Sequence, residues 1–236
     1  MTPPEVKCTC WLRGIAVMAH EVPVRGGVRV YDVSMDVCPG MPVYKNEERR
    51  RPVFETVSRY ADGALETRLH LDSHTGTHLD APSHMIPDGR HAHEFPPDAL
   101  VGECRVLGLD HVKEKITEAD LRAQGVMPGE FVLLRTRNSQ VAVFDPGFVY
   151  LAHDGAELLA ALPVRGVGID ALGIERDQPG HPSHVALFRS GVLVLEGLRL
   201  AGVAPGRYFL VIAPLKLIGT DAAPARVYLF EGLSGW

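Results

Sequence analysis

Apolar residues recur along the chain mostly in short runs, alternating with polar residues or continuous, and such runs are typical of β-strands. Helical signals are fewer: residues 117–120 resemble a capping box, and residues 154–162 form a helix that ends at Pro163. A strand at 131–136, this second helix and a strand at 164–169 together predict a βαβ unit. Further strands are predicted at 28–33, 53–58, 64–71, 103–109, 192–195, 208–212 and 226–230.

The first part of the chain differs from the rest. Residues 1–26 show no strand or helix period, so we expect a loosely ordered extension that can be deleted without loss of function. Ordered structure is expected to begin at Val28. Residues 27–236 contain neither a repeat nor an internal linker, and they predict one α/β domain in which strands outnumber helices.

Composition and charge narrow the class of partner. The chain has 236 residues, 22% of them charged, and a net charge of −5 with mixed signs. This balance gives no reason to expect nucleic acid or an anionic membrane, so we expect a small-molecule substrate and neither nucleic acid nor a membrane as partner. No apolar stretch approaches the roughly 18 residues of a membrane helix. The four cysteines are scattered, and Cys8 and Cys10 lack the spacing of common zinc or redox motifs, so we expect a reducing, cytoplasmic location.

One stretch, residues 70–84, concentrates chemistry-bearing side chains. On a helix, Asp80 would be rotated away from His74 and His78, whereas on an extended strand the spacing i, i+4, i+6 points all three to one side. Thr75, Gly76 and nearby Pro82 favour the strand.

Histidines four residues apart are often only half-buried polar side chains, and Thr75 occupies the position that is glutamate in a zincin motif. Residues 74–84, however, hold three histidines and an aspartate, and this density favours a metal site. Two imidazoles and a carboxylate suit Zn²⁺ first and Mn²⁺ second. His84 lies four residues beyond Asp80, and we expect it to stand beside the ion without ligating it.

A second cluster lies more than a hundred residues later. Ser183 is a candidate N-cap, which would place His184 in the first turn of a short helix ended by Gly191. Glu196 ends the apolar strand 192–195, where a buried carboxylate is costly unless it is paired or bound to metal. The residues alone leave open whether Glu196 binds metal or emerges into solvent.

The run His74-Thr-Gly-Thr-His-Leu-Asp-Ala-Pro-Ser-His84 resembles the signature of the cyclase family of metal-dependent hydrolases, which includes bacterial kynurenine formamidases and isatin hydrolase. The likeness extends from about Val28 to the end, including residues 213–221. It implies a β/β/α sandwich, sometimes described as swivelling, and a homodimer. His184 and Glu196 match a histidine and a glutamate of that family in spacing and context.

The resemblance also implies roles for these residues. His74, His78, Asp80 and Glu196 would hold one Zn²⁺ ion, and Asp80, His184 and Glu196 a second, with both carboxylates bridging. The resemblance also implies that His84 acts as proton donor and acceptor and that the ring of Tyr44 stacks on the substrate. The family has tryptophan at the Tyr44 position, followed by Pro-Gly-Asp, where this chain has Lys45-Asn-Glu47.

Together with the ligand pattern, the resemblance implies a metal-dependent hydrolase of a carbon–nitrogen amide bond in a small, aromatic molecule. It favours N-formylkynurenine as the substrate, and ring-opening of a cyclic amide such as isatin is the alternative because it uses the same attack. A third hypothesis is a metal-containing protein that binds a small carboxylate without turnover. Structural zinc sites usually have four protein ligands, often cysteine, and no cysteine lies near either motif, which favours catalysis.

Overall fold

A nine-stranded sheet, curled so that strands far apart in its order meet, forms most of the structure. The computed structural model describes residues 19–233. In this range the strands are β1 (His20–Pro23), β2 (Arg29–Asp32), β3 (Val53–Ser58), β4 (Glu66–His70), β5 (His78–Asp80), β6 (Val101–Gly108), β7 (Lys115–Ile116), β8 (Phe131–Arg135), β9 (Tyr150–Leu151), β10 (Gly166–Ile169), β11 (Leu193–Glu196), β12 (Gly206–Pro214) and β13 (Ala222–Glu231). The α-helices are α1 (Glu118–Ala123), α2 (His153–Ala161) and α3 (Pro182–Arg189).

The order of strands closes the sheet. It runs β1-β2-β13-β12-β6-β8-β10-β11-β5, and β5 also pairs with β13. Asp80 in β5 lies opposite Val194 on one side and Ala222 on the other. The predicted α/β class with more strands than helices is therefore confirmed, in the form of a barrel-like sheet. The β/β/α sandwich implied by the resemblance stays a prediction.

The central strands are buried on both faces, which explains their nearly continuous apolar sequences. In β8, Val132 and Leu134 pack with the helices, while Phe131 and Leu133 belong to the cluster inside the barrel. Both kinds of contact come from one strand because successive side chains point to opposite faces. The apolar core thus consists of a helix-facing layer and a barrel interior.

Two glycines of β10 make room inside the barrel. A Cβ atom at Gly166 would lie 2.3 Å from the Phe131 ring, and one at Gly168 would lie 2.6 Å from Leu133. The alternating sequence Gly-Val-Gly-Ile therefore puts large side chains on the helix-facing side and none on the other.

The predicted βαβ unit is present. Strands β8, β10 and β11 are parallel neighbours, and α2 and α3 supply the helices between them. Helix α1 begins with the expected capping box, in which Thr117 accepts from the Asp120 backbone N–H. Because parallel strands end at one edge of a sheet, the residues after β10 and β11 come together there.

The N-terminal expectation needs correction in one part. His20–Pro23 forms an exposed strand that pairs antiparallel with β2, so ordered structure begins before Val28. This strand was not predicted because it is held by backbone pairing at the sheet edge. All four of its side chains are exposed, so its sequence shows no alternation of apolar and polar residues. Residues 1–18, with Cys8 and Cys10, lie outside the described range, and the dispensability of residues 1–26 stays a prediction. From residue 19 to 233, no helix has the length and apolarity needed to cross a membrane.

Candidate metal centre

The first half of the site is a turn followed by a strand, not one continuous strand. His78 and Asp80 belong to β5, but His74 lies in the preceding turn. Gly76 adopts φ +67°, a left-handed conformation that favours glycine and breaks an extended strand there. The side chains of His74, His78 and Asp80 nevertheless converge, with ligand atoms within 4.8 Å of one another.

The two halves of the site meet at a close backbone contact. A Cβ atom at Gly197, the residue after Glu196, would lie 2.3 Å from the carbonyl oxygen of Gly76. Thr77 reinforces the contact, because its hydroxyl donates to the Gly197 carbonyl at 2.6 Å. This contact fixes the distance between the end of β11 and the histidine turn.

We expect Gly197→Ala to lower the free energy of unfolding by about 2 kcal/mol or more, because the added methyl meets backbone in a left-handed residue. Gly191→Ala is the matched control: Gly191 has a similar φ of +74°, but no atom lies within 4 Å of its added Cβ. Urea unfolding of both variants without added metal measures the difference. Equal losses would show that the contact with Gly76 does not contribute.

The second half of the site comes from α3 and the end of β11. Helix α3 begins at Pro182 with His181 as its N-cap, so the predicted N-cap role of Ser183 is wrong. Proline at the first helical position fits because its missing N–H is not needed there. The buried Ser183 hydroxyl instead donates to the carbonyl of Leu151 at 3.1 Å. His184 lies in the first turn as expected.

Five predicted ligands form one buried cluster. The Nδ1 atom of His74 lies 3.0 Å from Asp80 Oδ1, and Nε2 of His78 lies 3.3 Å from the same oxygen. Nε2 of His78 is also 3.3 Å from Glu196 Oε2. Nε2 of His184 faces the other oxygens, at 3.5 Å from Asp80 Oδ2 and 3.3 Å from Glu196 Oε1. Each carboxylate therefore offers one oxygen to each side.

Tetrahedral coordination with bonds of about 2.1 Å puts neighbouring ligand atoms about 3.4 Å apart, and the cluster has this spacing. His78 Nε2 and Asp80 Oδ1 are buried and have no hydrogen-bond partner among the described residues. His78 Nδ1 donates to the Gly76 carbonyl at 2.9 Å, which leaves a lone pair on Nε2 directed at carboxylate oxygens. A lone pair and two carboxylates facing one point fit a divalent cation.

Electrostatics in the cluster favour positive charge. Burial alone would lower the pKa of His78, but Asp80 and Glu196 outweigh it and raise that pKa to about 10. Burial likewise opposes ionisation of Glu196, and Asp80 opposes it further, yet His184 and His78 bring its pKa to about 2. The same field would favour a divalent cation, whose binding would displace the protons.

Two carboxylates that the sequence did not predict, Glu175 and Asp221, are hydrogen-bonded to histidines of the site. Glu175 accepts from His184 Nδ1 at 2.6 Å and from the backbone N–H groups of Ser183 and His184. Glu175 follows β10, at the same sheet edge as Glu196. A carboxylate predicted at this edge could have been recognised from the sequence as a residue close to the site. Such partners fix the tautomer and orientation of a ligating imidazole.

Asp221 has the corresponding role beside β5. Its Oδ2 atom lies 2.9 Å from His74 Nε2 and 3.1 Å from His84 Nδ1, and Oδ1 accepts from the Ser73 hydroxyl. These contacts lower the pKa of Asp221, against the effect of burial. Asp221 ends the segment 213–221 that carried part of the resemblance, but spacing along the chain could not show that it reaches residues 73–84.

We expect Glu175→Gln to weaken metal binding by about 10- to 100-fold, the usual effect of losing a partner behind a metal ligand. An uncharged amide is a weaker acceptor for the His184 N–H. Competition with a coloured chelator measures the affinity, with the exposed Glu157→Gln on α2 as control. Unchanged affinity in Glu175→Gln would show that Glu175 does not support the site.

His84 stands beside the cluster and outside its core. His84 lies in a short turn that follows β5. Its ring centroid lies 4.2 Å from that of His74 and 6.0 Å from that of His184. Since Nδ1 faces Asp221, Nε2 remains for other partners. Burial lowers the pKa of His84, although Asp80 acts in the opposite direction.

The cluster opens into a cavity of about 360 Å³, a size that suits a small organic molecule. Tyr44 lines this cavity together with His74, His84 and His184. The Tyr44 ring is half-buried and packs edge-on against Phe144 at a centroid distance of 5.3 Å. His91 and His93, which the sequence reading left out of the site, do not line the cavity.

A closed sheet, a His/Asp/Glu cluster that could hold a metal ion and an adjoining cavity are the features of a metal-binding protein with room for a small molecule. Residues 31–176 match the model of a protein family described as "Putative cyclase". The chain is 32% identical over 203 residues to a kynurenine formamidase of Salinibacter ruber, covering 84% of this chain and 95% of that protein. This chain therefore belongs to the cyclase family.

Solved structures agree with this assignment. A structure described as a predicted metal-dependent hydrolase from Bacillus stearothermophilus is 50% identical, with a TM-score of 0.80, covering 86% of this chain and 98% of that one. Isatin hydrolase A from Labrenzia aggregata shares the fold, with a TM-score of 0.77 at 24% identity over 93% of this chain and 97% of that one. The prediction of a metal-dependent hydrolytic enzyme is confirmed.

Proposed function

We propose that this chain hydrolyses the carbon–nitrogen bond of an aryl formamide of the N-formylkynurenine type. The observation that carries the proposal is the position of His84, which is hydrogen-bonded to Asp221 and lies in the same cavity as a cluster that could hold a metal ion. The similarity to the Salinibacter ruber kynurenine formamidase over nearly its whole length supports the choice of substrate.

The ligand cluster favours two ions over one. Asp80 and Glu196 each turn one oxygen toward His78 and the other toward His184, an arrangement suited to bridging carboxylates. His74, His78, Asp80 and Glu196 would hold the first ion, and Asp80, His184 and Glu196 the second. Imidazole and carboxylate donors favour Zn²⁺, with Mn²⁺ as the alternative.

A bound divalent cation supplies two effects: it lowers the pKa of a water molecule, and it polarises a carbonyl oxygen. Asp221 orients His84 so that its Nε2 atom is free to accept a proton as water attacks the formyl carbon. The same imidazolium then donates that proton to the departing aryl nitrogen, so that the carbon–nitrogen bond breaks and gives an arylamine and formic acid, which releases its proton to solvent as formate. Tyr44 would hold the aromatic ring at the cavity wall.

The test is a panel of amides assayed with protein loaded with Zn²⁺ or Mn²⁺. We expect turnover of N-formylkynurenine and of simple N-formylanilines, and slower or no opening of isatin. Preferred turnover of isatin would favour the ring-opening alternative. Binding of carboxylates without hydrolysis of any amide would contradict the proposed function and favour a binding protein.

A homodimer is part of this proposal. The hairpin formed by β3 and β4 pairs with no other strand of the described chain. It exposes several large apolar side chains: Val53, Val57, Tyr60, Leu65 and Leu69. An isolated two-stranded hairpin with exposed apolar residues is marginally stable in water, and packing against a second subunit would cover it. Sedimentation equilibrium should therefore give twice the chain mass.

We also propose a cytoplasmic location for the enzyme. Cys38 and Cys104 are buried free thiols, which is the usual state in a reducing compartment. Burial raises the pKa of Cys104 to about 12, so this thiol stays protonated.

A further inference from the structure

An ion pair lines the cavity without taking part in the metal cluster. Lys45 Nζ lies 2.6 Å from Asp177 Oδ2, and both residues line the same cavity as His74 and Glu196. The two side chains keep 43% and 55% of their surface exposed. An ion pair with this exposure contributes little to stability, about 0–1 kcal/mol, so a ligand can replace either partner at small cost.

Tyr44 connects this pair with the metal ligands. The Lys45 ammonium lies 5.6 Å from the centroid of the Tyr44 ring. Tyr44, Asp177 and Glu196 all line this one cavity. A ring held on Tyr44 can therefore present one substituent to the metal cluster and another to the ion pair.

The two arginines of the cavity rim share one carboxylate, Glu47. Arg50 lies 3.1 Å from Glu47 and 3.7 Å from Asp72, and Arg49 lies 2.8 Å from Glu47 with most of its side chain exposed. In the described chain, Asp177 is the carboxylate that pairs with Lys45. Lys45 and Asp177 thus present one positive and one negative group that a ligand can reach together.

We propose that Lys45 and Asp177 form a subsite for a zwitterionic amino-acid group, with the carboxylate on Lys45 and the ammonium on Asp177. This inference rests on the proposed function and narrows its substrate to aryl formamides that carry an amino-acid side chain. The resemblance did not predict it, because the family has proline where this chain has Lys45. Neutral amides gain nothing from the pair.

The test compares two substrates that differ in the zwitterionic group alone: N-formylkynurenine and 2′-formamidoacetophenone. Lys45→Met keeps the unbranched stem and removes the charge, while Asp177→Asn suits the left-handed backbone at φ +68°. We expect either change to raise the KM for N-formylkynurenine about tenfold, the effect of losing one charged contact, with kcat within about twofold. The constants for 2′-formamidoacetophenone should stay unchanged, and so should both in the exposed control Lys113→Met.

A binding measurement separates failure of the subsite from failure of the proposed function. Calorimetric titration of the metal-loaded protein with kynurenine should show an affinity that falls about tenfold in both variants. If wild-type protein binds kynurenine through Lys45 and Asp177 but hydrolyses neither formamide, the proposed function is wrong and the subsite stands. Equal effects on both formamides, or no effect on either KM and on kynurenine binding, would overturn the subsite.

Discussion

Replacing His84 with alanine is expected to abolish most turnover while bound metal stays nearly constant. His84 contacts Asp221 and stands beside His74, but the paired oxygens of Asp80 and Glu196 face other histidines. General acid–base catalysis by one positioned side chain contributes about 10²- to 10⁴-fold, so kcat should fall within this range. Metal content by plasma emission and kcat on an aryl formamide, measured on one sample, test the expectation.

The matched control is His111→Ala, which removes an exposed imidazole away from the cavity. It should change neither metal content nor kcat. If His84→Ala loses metal in proportion to activity, His84 is a ligand. The close group of His74, His84 and Asp221 makes this outcome a real alternative.

Glu196→Gln is expected to weaken metal binding more than Glu175→Gln, which changes a hydrogen-bond partner of a ligand and not a ligand itself. Its carboxylate is buried, lies near both His78 and His184, and accepts from the Ile174 N–H at 2.6 Å. Glutamine keeps that acceptor and removes the charge. Because partners behind a ligand are worth about 10- to 100-fold in affinity, loss of a bridging ligand should exceed about 100-fold.

The comparison that tests bridging is Glu196→Gln against His184→Ala. The glutamate would touch both ions and the histidine only one, so Glu196→Gln should lose more metal and more turnover. Glu157→Gln, exposed on α2, controls for the chemical change. Full metal and full rate in Glu196→Gln would contradict the two-ion model and leave a single ion on His74, His78 and Asp80.

Side-chain patterns predicted the central strands well because their side chains are buried: β8 and β10 lie within the predicted ranges. The exposed strand β3 also has the predicted bounds of 53–58, because its alternating sequence is itself typical of a strand. The turn at His74 was missed because an even spacing cannot distinguish a strand from a turn stabilised by a left-handed Gly76. His74 still reaches the cluster, since the turn redirects its side chain.

Contacts between distant segments explain the remaining differences. Closure of the sheet depends on β5 pairing with both β11 and β13, and pairing partners leave no local pattern in a three-residue strand. Glu175 and Asp221 were missed for the same reason: each supports a histidine from another element. His74, His78 and Asp80 could be proposed as ligands from their residue types and spacing, whereas His184 and Glu196 were proposed only through the family resemblance.

The measurement that tests the account most directly is hydrolysis of an aryl formamide before and after removal of metal. Dialysis against a chelator should abolish turnover by the intact chain, and adding back Zn²⁺ or Mn²⁺ should restore it in proportion to the metal bound, approaching two ions per chain. Turnover that persists in metal-free protein, or metal-loaded protein that hydrolyses no amide, would contradict the proposal of a metal-dependent amide hydrolase.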